Sequence, residues 1–176
     1  RSVTNLHEEL CTRLSTWSAK ADELERASDL LSRTNQFNTS IRRTGLDRLR
    51  EISRSPDGFV VLAKVQDTFA DSGIVAVMVG HAEETEIVVE EFAISCRVLG
   101  RSLEPVIAHN MLLIARSEMA SVQFYYRTGP RNLLALDWLV NYAGHPLDQQ
   151  GEVTLDLNRL DLDSRELDFV AERNGY

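Results

Sequence analysis

The feature that most constrains the fold of this chain is a change of hydrophobic period at the Pro-Asp-Gly turn of residues 56–58. Before the turn, apolar residues recur at helical spacing. After it, three runs rich in β-branched and apolar residues, over 59–65, 74–79 and 86–94, predict strands that could form an antiparallel meander. Helices that precede strands in this way favour an α+β or mixed α/β domain.

The stretch before the turn predicts three helices. A capping box that begins at Asn5, followed by leucines at helical spacing as far as Trp17, predicts the first helix. A second capping pattern at Asp22 opens another helix, which we expect to stop near residues 34–35. A short third helix is predicted over 46–53, because the turn that follows it ends the periodic pattern.

Helices and strands alternate after the third strand. The pattern predicts a helix over 103–117, a parallel strand over 122–127, a helix over 132–142 and a final strand over 152–157. The residues beyond Leu160 are charged, and we expect them to be loose or weakly helical.

These sequence patterns divide the chain into three parts. We expect residues 1–21 to form a helix and linker to an upstream domain, 22–160 to form the main domain, and 161–176 to form a charged tail. The chain begins with Arg rather than Met, so we expect a processed product or a piece of a longer protein. The longest apolar run is far short of the ~18–20 residues that cross a bilayer.

Composition excludes several classes of protein. The net charge of −8 argues against nucleic acid as a ligand, because a phosphate backbone requires a strongly basic face. The two cysteines, Cys11 and Cys96, are too few for a disulfide framework and match no metal-ligand spacing. We therefore expect a cytoplasmic protein with no bound metal, no nucleic-acid partner and no membrane partner.

Basic residues are nevertheless concentrated in two parts of the chain. These arginines are either solvated faces of helices or a local basic surface for a phosphate-bearing or acidic partner. The first group is Arg42, Arg43, Arg48, Arg50 and Arg54, and the second is Arg97, Arg101, Arg116, Arg127 and Arg131.

The connection between the strand over 86–94 and the helix from 103 has the composition of a phosphate-binding loop. Gly100 allows the backbone to turn tightly, and the helix that follows begins with free N–H groups and the positive end of its dipole. Arg97 and Arg101 add positive charge at the same place. The alternative is a structural connection, since single glycines between strands and helices are common.

The order of elements, together with this loop, resembles the GNAT acyltransferase superfamily, whose signature is Arg/Gln-x-x-Gly-x-Gly/Ala. A closer likeness is to the C-terminal GNAT-like domain of the FkbH-like (HAD-IIIC) proteins. Two strings carry it: Thr-Asn-Gln-Phe-Asn at 34–38, followed by Arg42-Arg43, and Ser-Cys-Arg-Val-Leu-Gly-Arg at 95–101. The likeness covers residues 22–144, and Ser102 departs from the small residue of the GNAT signature.

The resemblance implies a central, mostly antiparallel sheet with helices on both faces and a parallel pair of strands splayed at a cofactor cleft. It also implies that the loop binds CoA or carrier-bound phosphopantetheine, whose arm runs along the edge of the preceding strand. The implied binding residues are Ser95, Arg97, Val98, Leu99, Gly100, Arg101, Ser102 and Asn132. Asn132 could equally be a helix N-cap.

The candidate catalytic residues follow from the same likeness. Glu90 is the candidate base; it and Glu91 should face opposite sides of a strand, and either could be an ordinary solvated carboxylate. Tyr142 is a displaced candidate for the general acid, because Leu139 occupies the usual tyrosine position. Cys96, at a helix N-terminus beside an arginine, is either an acyl acceptor or a small residue packed under the loop.

Three functions are compatible with these residues. The first is a module that binds the phosphopantetheine arm of an acyl carrier protein and supports glyceryl transfer by a HAD-type domain in polyketide biosynthesis. The second is a self-sufficient acyl-CoA-dependent N- or O-acyltransferase, and the third is a structural domain without a ligand. The only Asp-x-Asp string, at 161–163, lies too near the end of the sequence for a HAD fold, so we expect that chemistry in a partner domain.

Overall fold

A seven-stranded mixed sheet with the order β6-β5-β4-β3-β2-β1-β7 forms the centre of the molecule. The computed structural model describes residues 11–116, 118, 120–165 and 171–173. The strands are β1 (Arg13–Ser18), β2 (Gly58–Gln66), β3 (Asp71–Ala82), β4 (Glu86–Ile94), β5 (Ser121–Arg127), β6 (Gln150–Thr154) and β7 (Ala171–Arg173).

Five α-helices lie in the described part of the chain, and a 3-10 turn at Ala21–Glu23 precedes the first of them. They are α1 (Leu24–Arg33), α2 (Leu46–Arg54), α3 (Glu104–Ala115), α4 (Leu133–Ala143) and α5 (Leu157–Arg165). The capping box forms two residues earlier than predicted, at the start of the 3-10 turn: the Glu23 carboxylate accepts the backbone N–H of Lys20 at 2.8 Å.

Strands β2, β3 and β4 form the predicted antiparallel meander. β5 then runs parallel to β4, and β6 returns antiparallel to β5. Because the β4–β5 connection must cross the sheet to keep the strands parallel, it contains α3. The mixed α+β fold class is confirmed.

The helices cover both faces of the sheet, so alternate residues of the central strands enter two different cores. On β2, Val60 and Leu62 pack with residues of α1 and α2. Val61 and Ala63 face the other way and join residues of α3, α4 and α5. This two-sided burial explains why the strands read as nearly continuous apolar runs.

The predicted N-terminal helix is wrong where the structure describes it. Arg13–Ser18 is a strand that pairs antiparallel with β2, from Arg13 opposite Gln66 to Ser18 opposite Val61. Leu14 and Thr16 are buried in alternation, a period of two that the leucine spacing concealed. This strand belongs to the same sheet as strands β2 to β6. Residues 5–10 of the predicted helix lie outside the described residues.

The end of the chain also differs from the prediction. The final predicted strand ends at Thr154, and α5 begins at Leu157 because Leu160 is drawn into the core. Residues 171–173 form a short strand parallel to β1 at the edge of the sheet.

Candidate functional site

The parallel strands β4 and β5 separate towards their carboxyl ends, as the resemblance implies for a cofactor cleft. Their pairing runs from Glu86 opposite Ser121 to Val89 opposite Phe124 and then stops. Residues 37–40, which we call the inserted segment, lie in the wedge that opens beyond this point.

Backbone hydrogen bonds join the inserted segment to both strands. The Thr39 N–H donates to the Phe92 carbonyl at 3.0 Å, and the Ile94 N–H donates to the Phe37 carbonyl at 2.9 Å. On the other side, the Arg127 N–H donates to the Thr39 carbonyl at 3.0 Å. The segment therefore uses the strand edge along which a pantetheine arm was expected to run.

Aromatic side chains fill the same wedge. Phe37 is 2 % exposed and meets the rings of Phe92 and Trp138 edge-on, at centroid distances of 5.5 and 5.8 Å. Phe124 packs against Trp138 at 5.8 Å in the same way. The indole Nε1 of Trp138 is buried without a hydrogen-bond partner among the described residues. The ring contacts therefore hold this cluster together.

A buried carboxylate holds the loop that follows the inserted segment. Glu91 is fully buried, and its Oε1 accepts the Asn38 side-chain amide at 2.9 Å and the Arg43 backbone N–H at 2.8 Å. Its Oε2 accepts the backbone N–H and the hydroxyl of Thr44, at 2.9 and 2.6 Å. Four donors from one loop thus satisfy a carboxylate that would otherwise be costly to bury.

Asn132, an expected contact of the cofactor arm, joins the inserted segment to β5. Its side-chain amide donates to the carbonyls of Asn38 and Arg127, both at 2.9 Å. Its Oδ1 accepts the Gly129 N–H at 2.8 Å. The residue occupies the N-cap position of α4, but its side chain makes no capping hydrogen bond to the helix.

The loop between β4 and α3 has the tight geometry that its sequence predicts. Gly100 and Ser102 adopt the left-handed region, with φ of 78° and 56°. Burial raises the pKa of the Glu104 carboxyl, and hydrogen bonds from the backbone of Glu104 and Gly100 partly offset the increase. The backbone amides of Gly100 and Glu104 therefore already donate to a carboxylate of the chain itself, at the loop where a phosphate was expected. Val98 and Leu103 point into the core.

The two loop arginines have separate positions. Arg97 donates from Nε to the Ser95 hydroxyl at 3.1 Å, from Nη2 to the Ile74 carbonyl at 2.9 Å and from Nη1 to the Ser72 carbonyl. Arg101 pairs with Asp67 at 3.3 Å, away from Arg97. Two of the five N–H donors of the Arg97 guanidinium thus hold it on β3, and a third binds Ser95 in its own loop.

The two strings that carry the family resemblance meet at one cavity of about 450 Å³. We call it the arginine cavity; it lies between the C-terminal half of α1 and the residues that follow β4. Its lining residues are Arg26, Asp29, Leu30, Arg33, Thr34, Asn35, Gln36, Ile94, Ser95, Cys96, Arg97 and Arg131.

The lining of the arginine cavity is strongly positive, with four guanidinium groups and one carboxylate. That carboxylate, Asp29, pairs with Arg26 at 3.1 Å and with Arg33 at 2.8 Å. Cys96 is exposed in the same wall, and no histidine belongs to the described lining. Of the implied binding residues, the structure brings Ser95 and Arg97 to this cavity, whereas Val98, Leu99, Gly100, Arg101, Ser102 and Asn132 do not line it.

Glu90 lies in a different charged cluster. Val79 pairs with Glu91 while Gly80 pairs with Val89, so Glu90 is the extra residue of a β-bulge. Its carboxylate contacts His81 Nδ1 at 3.1 Å and the Arg42 guanidinium at 3.0 Å, and only 12 % of the side chain is exposed.

A second cavity of about 450 Å³ adjoins this cluster, and we call it the tyrosine cavity. Arg42 lies over the ring of Tyr125 at 4.6 Å from its centroid. Burial raises the pKa of the Tyr125 phenol, and the hydrogen-bonded Glu152 raises it further. The sequence analysis did not select Tyr125, although alternation over β5 could have shown that it faces away from the buried Phe124. The lining residues are Ser40, Arg42, Tyr125, Tyr126, Arg127, Gln150, Gly151 and Glu152.

Tyr142, the other candidate acid, lines neither cavity. It is 3 % exposed within the core, and its hydroxyl donates to Asp163 at 2.6 Å. Burial raises the pKa of this phenol, and the Asp163 carboxylate adds to the effect.

Two further findings concern the described residues only. Within them, no group of three or more His, Cys, Asp or Glu side chains is placed to hold a metal ion. No helix among them has the length and apolar character needed to span a bilayer.

Neither a scan against models of protein families nor a search of curated proteins finds a match. Several solved structures, in contrast, are similar to this chain. The ribosomal-protein-S18-alanine N-acetyltransferase of Escherichia coli is similar with a TM-score of 0.54 and 9 % sequence identity, over 81 % of this chain and 91 % of that one. A chimeric spermidine N-acetyltransferase from Vibrio cholerae gives 0.54 and 8 %, over 84 % and 98 %.

The protein has the GNAT fold. The Ard1 structure from Thermoplasma volcanium gives a TM-score of 0.50 at 16 % identity, over 81 % of this chain and 95 % of that one. At these identities the likeness establishes architecture, including the parallel pair β4–β5 that opens into a wedge. In this chain the inserted segment fills the wedge between β4 and β5.

Proposed function

We propose that this GNAT-fold domain binds the phosphopantetheine arm of an acyl carrier protein in the arginine cavity and supports acyl transfer by a HAD-type domain of an FkbH-like protein. The observation that carries the proposal is the meeting of residues 34–36 with residues 95–97 at one basic cavity. These two strings lie about sixty residues apart in sequence, and both belong to the resemblance.

The chemistry of the lining favours a phosphate group. Guanidinium groups offer paired N–H donors that match phosphate oxygens, and such charge-assisted hydrogen bonds are roughly twice as strong as neutral ones. The hydrogen bonds of Arg97 to Ser72 and Ile74 fix one guanidinium before any ligand arrives. A pre-positioned donor loses less entropy when it binds.

The occupied wedge favours a carrier-facing role over a complete acyltransferase. A pantetheine arm along β4 would have to displace the inserted segment, break its hydrogen bonds and expose Phe37. Exposing one phenylalanine alone costs ~1.5–3 kcal/mol. A ligand that enters the arginine cavity avoids this cost, and the covalent chemistry then belongs to the partner domain.

Calorimetric titration tests the proposal with phosphopantetheine, CoA and a holo acyl carrier protein. We expect phosphopantetheine and the holo carrier to bind without turnover. Arg131→Ala and Arg97→Ala should each weaken phosphopantetheine binding by ~1–3 kcal/mol, as expected for a charge-assisted hydrogen bond.

Arg101→Ala is the matched control, because Arg101 pairs with Asp67 and does not line the cavity. Its affinity for phosphopantetheine should equal that of the unaltered protein. Equal affinities in all three variants would contradict the assignment of the cavity.

The second candidate is an acyl-CoA-dependent transferase that acts at the tyrosine cavity. The β-bulge at Glu90, with a phenol from Tyr125 near Arg42, favours it, because bulges re-aim side chains beside active sites. Under this alternative, acetyl-CoA is consumed with an amine or hydroxyl acceptor, and Glu90→Gln abolishes the turnover. Binding of phosphopantetheine without any turnover supports the first function instead.

A further inference from the structure

Two large apolar side chains are exposed at the start of α4, directly after the residues that border the arginine cavity. Leu133 and Leu134 begin α4, and 66 % and 50 % of their surfaces are open. They follow Arg131, which lines the cavity, by two and three residues. Adjacent exposed leucines of this kind mark an interaction site more often than isolated ones do.

A smaller cavity of about 300 Å³ extends the basic surface from the arginine cavity as far as Asn132, the residue before these leucines. The two cavities share Asn35 and Arg131, so their rims are continuous. Arg43 lines the smaller one and donates to the Asn35 side chain at 2.6 Å. We call Arg43, Pro130, Arg131, Leu133 and Leu134 the leucine–arginine surface.

The charge of this region is opposite to that of the whole chain. Five arginines border the two cavities, Arg26, Arg33, Arg43, Arg97 and Arg131, with Asp29 as the one carboxylate in their described lining. The whole chain carries a net charge of −8. A positive region on an acidic protein attracts a negatively charged partner. Exposed leucines next to this positive region favour a partner surface that carries apolar side chains among its acidic ones.

We propose that the leucine–arginine surface docks the acidic helical face of an acyl carrier protein, so that the arm of the carrier enters the arginine cavity across the shared rim. The inference rests on the proposed function, since it uses the same cavity for the arm. It adds that recognition has two separate parts: the carrier surface contacts Leu133 and Leu134, and the phosphate contacts the arginines.

The test compares the apo and holo forms of an acyl carrier protein by surface plasmon resonance. The double variant Leu133→Ser with Leu134→Ser should weaken binding of both forms about tenfold or more, as for apolar residues central to an interface. Its affinity for free phosphopantetheine should not change. Arg131→Ala should weaken holo binding more than apo binding, and added salt should weaken both.

Leu162→Ser is the matched control, because Leu162 is 65 % exposed on α5, a different helix from the one that begins with Leu133 and Leu134. It should leave all affinities unchanged. If the double leucine variant binds both carrier forms as tightly as the unaltered protein while free phosphopantetheine still binds, the docking surface is wrong and the proposed function stands. If the unaltered protein binds neither phosphopantetheine nor the holo carrier, both proposals are wrong.

Discussion

Replacing the buried carboxylate of Glu91 is the most direct perturbation of the inserted segment and its loop. In Glu91→Ala, the donors from Asn38, Arg43 and Thr44 lose their acceptor. The segment 34–36 that lines the arginine cavity is joined to this loop through Asn38. We therefore expect the substitution to affect both stability and ligand binding.

The magnitude follows from counting the donors left unpaired. A buried donor without an acceptor costs ~1–3 kcal/mol, and the Asn38 side chain is fully buried. The backbone N–H groups of Arg43 and Thr44 are partly buried, so water replaces some of their loss. Removing the carboxylate also removes the free-energy cost of burying its charge, which offsets part of this loss. The net result is a loss of about 3 kcal/mol in the free energy of unfolding. A domain with ~5–15 kcal/mol of stability stays folded after such a change.

Urea denaturation followed by tryptophan fluorescence measures this loss, with Glu91→Gln as the matched variant. The glutamine side chain keeps one acceptor oxygen, but its NH₂ group faces the donors that the second carboxylate oxygen accepted. We therefore expect a loss of ~1–2 kcal/mol in the free energy of unfolding. Both variants should also bind phosphopantetheine more weakly than the unaltered protein in titrations without urea, at a temperature where all three proteins are folded. A Glu91→Ala protein within ~0.5 kcal/mol of the unaltered one, the range of ordinary surface changes, would refute this account of the loop.

Three other changes test separate parts of the structure. Phe37→Ala should lower the free energy of unfolding by ~3–5 kcal/mol, because it leaves a cavity in the aromatic cluster; a neutral result in urea denaturation would place the ring outside the wedge. Glu104→Gln should change the pH dependence of stability: burial raises the pKa of Glu104 above its ordinary 4.5, so its contribution is present at low pH and is lost as the pH rises through the raised pKa. The unaltered protein should therefore lose stability relative to Glu104→Gln as the pH rises from below 4.5 through the raised pKa, and a constant difference would contradict the burial effect. Tyr142→Phe should cost ~1–2 kcal/mol by removing the hydrogen bond to Asp163, with no effect on phosphopantetheine affinity or on any acyl transfer; a selective loss of turnover would restore Tyr142 as the general acid.

Local patterns predicted the parts of the fold that rest on local physics. The meander β2–β4 and the helices α1 to α4 follow from periodicity, because each element buries one or both faces by a regular repeat. β1 was the exception. In the sequence, Leu10 and Leu14 match a helical stripe. Within β1, however, Leu14 and Thr16 alternate against β2, and only the partner strand decides between the two periods.

The candidate site was harder to predict than the fold. The string at 34–38 has no helical or strand period, and only its rarity singled it out. Its position in the wedge depends on where β4 and β5 separate, which is a property of sheet twist and of the β-bulge at Glu90 rather than of any one segment. Arg97 and Arg101 lie four residues apart in one loop, with the left-handed Gly100 between them. Arg97 binds β3, whereas Arg101 pairs with Asp67 in the connection between β2 and β3.

The amino-acid sequence by itself determined the order of helices and strands, the tight loop after β4 and the two unusual strings, since each depends on residues that are close neighbours along the chain. Tertiary structure alone decided what occupies the wedge and where the arginines gather. Residues 34–36, 95–97 and 131 meet at one cavity because the sheet brings distant segments together, and no periodicity along the chain records that meeting.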